Sequence, residues 1–397
     1  MTHPSSQVAP GSEKSQRLIS LDAYRGFVML AMVSGGFGLT QIAEKFPDNL
    51  WWERIDYQLS HVSWEGCSFW DLIQPSFMFM VGVAMPYSYA SRLAKGLSKK
   101  MIWSHVLYRA LALVLLGIFL RSNGSAQTRF TFEDVLTQIG LGYAFVYFFI
   151  GKGFRLQMAA LWGILIIYWL AFVLYPLPGK DFDFAAAGVA PDFGPYSGFF
   201  AHWNKNTNCA AAFDVWFLNL FPWPEPWRFN GGGYQTLSFI PSMGTTLIGL
   251  MAGEWLRGSP DGWAKCRNLL LGGILSLGLG WVACQACCPI VKRIWTPSWV
   301  LFSGGWALLL LGCFYGIVDL KGYKQWTYPL IVVGMNSIAM YVMAHLAEDW
   351  LVQTLQTHLG ADLFDGFWGP VEKNVSVLVV LWLMCLWMYR KKIFLRI

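Results

Sequence analysis

The chain has 397 residues, of which 55% are hydrophobic and 13% charged, where an average soluble protein carries roughly a quarter charged residues. With 22 Trp, 29 Phe and 16 Tyr against 29 Lys+Arg and 23 Asp+Glu, there is too little charge to cover the apolar surface, which excludes an ordinary water-soluble enzyme. The solvent is a bilayer, and the fold class expected is an all-α, polytopic membrane bundle.

Residues 1–20 (MTHPSSQVAPGSEKSQRLIS) are polar and lack an apolar core followed by a small-residue cleavage site, so they read as a cytoplasmic N-terminus and not as a cleaved signal peptide. Residues 21–397 then form one transmembrane domain. A spanning helix needs about 20 mostly apolar residues, because lipid offers no partner for backbone polar groups. Ten such runs follow in order: 26–43, 69–91, 103–120, 135–151, 156–175, 236–256, 268–288, 298–318, 328–347 and 375–389. None alternates with period two, as a barrel strand would.

With ten crossings, one side collects 19 basic and five acidic residues, leaving ten basic and eighteen acidic on the other. The positive-inside rule makes the basic side cytoplasmic, with both termini inside. The net charge of +6 is thereby an orientation signal, and no nucleic-acid partner is expected. Three outer segments are long: 44–68, 176–235 and 348–374. The middle one holds seven Pro, four Trp and the turn FNGGGY at 229–234, a composition suited to an ordered cap that recognises something. The Gly249-x-x-x-Gly253 spacing reads as close helix packing. The eight Cys show no zinc-finger spacing, and no metal is expected.

Ionisable groups at membrane depth cost about 2.5–3.5 kcal/mol on insertion scales, so each needs a reason. Asp22 and Arg25 lie three residues apart on one face at the inner end of the first helix, where they can pair, or one can hold a neighbour while Arg25 meets a phosphate. The run from Ser60 to Pro75 carries His61, Glu65, Asp71 and Gln74 beside an apolar stretch; imidazole can take a proton near neutral pH, and a carboxylate can fix its tautomer. Asn336 and Ser337 stand in mid-helix, either hydrogen-bonded between helices or lining a site, with His345 and Glu348 at the outer end. No G-x-S-x-G elbow, Walker loop, H-E-x-x-H or dinucleotide fingerprint is present.

The runs RLISLDAYRGFVML (17–30), HVSWEGCSFWDLIQPSFMFMVGVAMP (61–86) and YPLIVVGMNSIAMYVMAH (328–345) resemble the heparan-α-glucosaminide N-acetyltransferase family and its bacterial relatives. Weaker similarity covers 206–256. The resemblance implies a membrane acyltransferase that moves an acetyl group from cytoplasmic acetyl-CoA to an extracytoplasmic amino sugar or glycan, with a homodimer left open. The short polar N-terminus and compact form point to a bacterial inner membrane, with a lysosome-like organelle of the same topology as the alternative. The resemblance also implies His61 as the base or acyl relay, oriented by Asp71 or Glu65. Asp22, Arg25, Gly26, Asn336 and Ser337 are then expected near the acetyl-CoA, and His345, Trp64, Asn208 and Trp227 near the acceptor. The family's Asn after the first helix is replaced here by Ser34-Gly35-Gly36, and the stretch before His61 is longer. A rival from another class is a transporter or flippase without acyl chemistry, and a third is a membrane scaffold that binds no CoA.

Overall fold

A computed structural model describes residues 18–395; most of the polar N-terminus lies outside them. Helices dominate, and no β-strand occurs among the described residues. The order is α1 (Ile19–Val33), α2 (Leu39–Ala43), α3 (Leu50–Leu59), α4 (Ile73–Ala94), α5 (Lys99–Arg121), α6 (Val135–Phe148) and α7 (Phe154–Val173). There follow α8 (Cys209–Leu218), α9 (Phe239–Arg257), α10 (Gly262–Ala286), α11 (Pro297–Phe314), α12 (Tyr328–Gly334), α13 (Ser337–Leu359) and α14 (Gly369–Arg390).

The all-helical membrane class is borne out. Six helices among the described residues are long and apolar enough to cross a bilayer: α5, α7, α9 extended back to Thr236, α10, α11 extended to Leu320, and α14. Two bent pairs bring this to eight, α1 with the segment Gly35–Ala43 at 41° and the α12–α13 pair at 65°. The remaining two expected runs correspond to α4 and to the 14-residue α6, which are packed into the bundle. The long outer segments contain helix of their own. Segment 44–68 holds α3, segment 176–235 holds α8, and α13 continues to Leu359.

Burial sorts the helices. α5 exposes Leu107, Leu111, Leu115 and Phe119, and α10 exposes Leu271, Ile274, Leu275 and Trp281, apolar faces whose natural neighbour is lipid. α4 and α9 form the centre, where Gly82 lies on the Thr246 carbonyl and Gly249 and Gly253 lie on those of Phe79 and Val83. A Cβ at any of the three would enter that backbone, so the small-residue spacing is a packing device, as its sequence suggests. Against α1, Gly334 of α12 rests on the Asp22 carbonyl, and Gly26 of α1 rests on that of Leu330. The crossing of α1 and α12 is therefore fixed by two glycines.

Candidate functional site

The loop before α4 is shaped around one carboxylate. Ser68 and Asp71 behave as a capping box, with the Asp71 amide donating to Ser68 Oγ at 3.3 Å and the Ser68 amide to Asp71 Oδ2 at 3.3 Å. Val62 N donates to the same oxygen at 3.2 Å, which folds the chain back over ten residues. His61 thus arrives with Nδ1 2.7 Å from Asp71 Oδ1.

A third group comes from far along the chain. Between α10 and α11 the segment 288–296 makes a tight turn, tied by Val291 N to Thr296 Oγ1 at 3.0 Å and Trp295 N to Lys292 O at 2.9 Å. An isolated antiparallel bridge, Glu65 to Val291, with Gly66 N donating to Ile290 O at 2.9 Å, staples this turn to the His61 loop. Lys292 Nζ consequently lies 3.2 Å from Asp71 Oδ1 and 3.1 Å from His61 Nδ1. Arg293 reaches the Val62 carbonyl at 3.1 Å.

Burial and charge act in opposite directions on Asp71 and Lys292. Burial pushes the Asp71 carboxyl up, but the His61 hydrogen bond, the Lys292 charge and the Val62 amide outweigh it and hold Asp71 well below the usual carboxylate range. Burial pulls Lys292 down from its ordinary value, against the pull of Asp71. With Asp71 ionised 2.7 Å away, the tautomer in which Nδ1–H donates to Asp71 Oδ1 leaves the ring lone pair on Nε2. The His61 side chain is 40% exposed, against 1% for Asp71 and 5% for Lys292; its open side is a cavity.

That cavity, about 750 Å³ and termed outer after the side the charge pattern suggests, lies at the end of the bundle where α4 begins. It is lined by His61, Lys292 and His345, by Arg121, Arg129, Glu133 and Asp134 before α6, and by Trp223, Trp227 and Tyr234 from the cap. A second cavity, about 700 Å³, lies towards the opposite end, where α1 begins and α4 finishes. Its walls carry Asp22, Arg25, Arg92, Lys95, Arg109 and Ser337. Arg25 pairs with Asp22 at 3.4 Å. Among the described residues Arg92 Nη1 and Arg109 Nε are buried donors without a hydrogen-bond partner, although the Arg109 guanidinium lies over the Tyr143 ring, 4.9 Å from its centroid; an anion in the cavity would satisfy both N–H groups.

The remaining residues singled out by sequence fall in different places. Trp227 and His345 line the outer cavity, and Asp22, Arg25 and Ser337 the basic one. Glu65 points away from His61, accepting from Tyr196 Oη at 2.6 Å. Trp64 is buried against Phe193 and donates to the Trp203 carbonyl at 3.0 Å. Asn208 caps α8 through the amides of Ala210 and Ala211, both 3.1 Å. Asn336, at the α12–α13 break, binds the segment after α14 through the Ile393 carbonyl at 3.0 Å and the Leu395 amide at 3.2 Å. No group of three or more His, Cys, Asp or Glu suited to a metal occurs among the described residues.

This chain is similar to heparan-alpha-glucosaminide N-acetyltransferase of Homo sapiens, 24% identical over 435 aligned positions that cover 96% of the chain and 60% of that protein. It is similar also to the Mus musculus protein of the same name, at 25% identity over 437 positions, 96% of the chain and 61% of the relative. The family resemblance read from the motifs is borne out. The chain spans about 60% of the length of these curated relatives. No family model matches it. Helices, apolar faces and relatives together make it an integral membrane protein.

Missed by sequence reasoning were Lys292, Arg92, Lys95 and Arg109. Lys292, Arg92 and Lys95 appear in the sequence only as loop or helix-end charges, and Arg109, inside the run 103–120, bears there only on orientation. Lys292 carried one usable signal, a Lys-Arg pair in an apolar connection too short for a solvated loop.

Proposed function

We propose that this chain is a membrane acetyltransferase that uses acetyl-CoA held in the basic cavity to acetylate an amino sugar or glycan in the outer cavity, with His61 as the base. The observation that carries this reading is the oriented, one-sided imidazole: Nδ1 engaged by a buried, ionised Asp71, and Nε2 left for the cavity. Relatives named as N-acetyltransferases agree with it.

Amine acetylation requires a proton acceptor at the attacking nitrogen, anchoring of the thioester, and exclusion of water. His61 Nε2 takes the proton as nitrogen attacks the acetyl carbon and the carbon–sulfur bond breaks; the imidazolium then returns a proton to the departing thiolate. Asp71 stabilises the imidazolium and holds the ring. The unpartnered Arg92 and Arg109 N–H groups, with Arg25 and Lys95, suit the phosphates of CoA. Trp223 and Trp227 offer flat amphipathic faces for a sugar ring. On the positive-inside reading the basic cavity faces the cytoplasm of a bacterial inner membrane and the outer cavity the far side.

The test is acetyl transfer by purified protein in detergent, wild type against His61→Ala. Loss of transfer with unchanged thermal unfolding supports the role of His61; retained transfer removes it. The two bent helix pairs favour one alternative, a transporter for a glycan or small solute. Uptake into proteoliposomes without CoA would favour that reading.

A further inference from the structure

The two cavities approach each other back to back. Three residues line both: Phe77 of α4, Val135 of α6 and Tyr341 of α13. A single layer of side chains therefore stands between a chamber at one end of the bundle and a chamber at the other. Phe77 and Val135 are apolar wedges with no polar tie. Tyr341 has one, since its hydroxyl donates to Asp134 Oδ2 at 3.1 Å.

Asp134 is itself immobilised. Its Oδ1 caps α6 through Leu136 N at 2.8 Å, and its Oδ2 accepts from Arg121 Nε at 3.0 Å. The Tyr341 ring packs on His345 at a tilt of 30°, with centroids 4.2 Å apart, and the Tyr341 carbonyl accepts from His345 Nδ1 at 2.9 Å. The α12–α13 break, bent by 65°, lies just over one turn below. Of the three residues in the layer, Tyr341 is the one held by a polar tie on one side and a packed ring on the other.

We propose that Tyr341 is the latch of the passage between the two cavities: fastened to Asp134 it seals the partition, and swung off Asp134 it joins the chambers. The seal has two consequences. As a barrier it keeps small solutes from crossing the protein, whatever reaction the protein performs. Resting on the acetyltransferase reading, it also keeps water of the outer cavity from the thioester; hydrolysis would place water oxygen on the acetyl carbon, break the carbon–sulfur bond and release acetate and CoA thiol. Tyr341 is on this account a positioning residue, acting through the opening of the partition.

The experiment uses the full chain in proteoliposomes and three variants. Tyr341→Phe keeps the ring and removes the tie, Tyr341→Ala removes the wall, and Tyr341→Trp thickens it. Proton leak is read by entrapped pyranine after an external pH step, without CoA, and acetate release from acetyl-CoA is read without acceptor. A hydrogen bond to a charged partner holds a group closed by a factor of about ten or more, so Tyr341→Phe is expected to raise acceptor-free hydrolysis relative to transfer by about that factor. Tyr341→Ala is expected to raise the leak severalfold, and Tyr341→Trp to retain thermal stabilisation by acetyl-CoA while losing transfer. Thermal unfolding of Tyr341→Phe close to wild type shows that the fold is kept. A Tyr341→Phe protein with wild-type leak and a wild-type ratio of hydrolysis to transfer overturns the latch. Raised leak in the Phe and Ala variants, with no acetyl-CoA chemistry even in wild type, would leave the latch standing and remove the enzyme reading.

Discussion

Replacing Asp71 by Asn separates what the trio does for folding from what it does for chemistry. Lys292 is buried, and among the described residues its acidic partner within salt-bridge distance is Asp71 at 3.2 Å. Neutralising Asp71 leaves an ammonium in the interior without a counter-charge, and breaking one side of a buried pair costs about 3–5 kcal/mol. The Asn carbonyl can still accept the Val62 and Ser68 amides, so the loop keeps its path. Its amide nitrogen, however, takes the place of the oxygen 2.7 Å from His61 Nδ1, and favours the tautomer that carries its proton on Nε2. That imidazole cannot act as the base, and transfer should fall by about a thousandfold or more, the scale seen when an orienting carboxylate is neutralised in a catalytic triad. Adding Lys292→Met removes the stranded charge, since apolar replacement of a buried pair is often neutral or stabilising. The account therefore expects Asp71→Asn to lose both thermal stability and activity, and the double variant to recover stability alone. Tryptophan-fluorescence melting and acetyl transfer on the same detergent preparation measure both quantities. Recovery of transfer in the double variant would refute the orienting role of Asp71.

Other outcomes follow from the surroundings of the site. Arg92→Gln and Arg109→Gln each remove a buried N–H that has no hydrogen-bond partner among the described residues; each should raise KM for acetyl-CoA about tenfold or more, leaving kcat much closer to wild type, and steady-state kinetics at varied donor check this. Burial pushes the Asp214 carboxyl up to about 7, against the lowering effect of Thr236. A carboxyl raised on folding contributes stability that is whole below its unfolded value near 4 and is lost as pH rises through about 7. Stability should thus decline across that window by an amount on the order of 4 kcal/mol at most, and Asp214→Asn should flatten the decline in melting temperature measured from pH 4 to 8.

The helical class and the local fold of the site were legible because both are short-range. Apolar runs of bilayer length mark helices regardless of their neighbours, and the ten residues from His61 to Asp71 close on themselves through a capping box. Lys292 was not legible. It stands 231 residues from His61, and only the bridge between Glu65 and Val291 brings it there; one isolated bridge leaves no periodic pattern in either segment. Glu65 shows the converse difficulty, because its spacing from His61 is as good as that of Asp71, yet the bridge turns it towards Tyr196. Asn336 is polar at membrane depth for a reason that lies near the C-terminal end, where the Ile393 and Leu395 backbone needs partners. The partition between the cavities is less visible still, since Phe77, Val135 and Tyr341 look like ordinary core residues until three separate helices bring them together.

Sidedness tests the central claim most directly. Proteoliposomes with uniformly oriented protein receive radiolabelled acetyl-CoA on the face of the basic cavity and an impermeant amino sugar on the other face only. The account predicts labelled N-acetyl sugar in the acceptor compartment, absent with His61→Ala; product that forms only when both reactants share one face would contradict it.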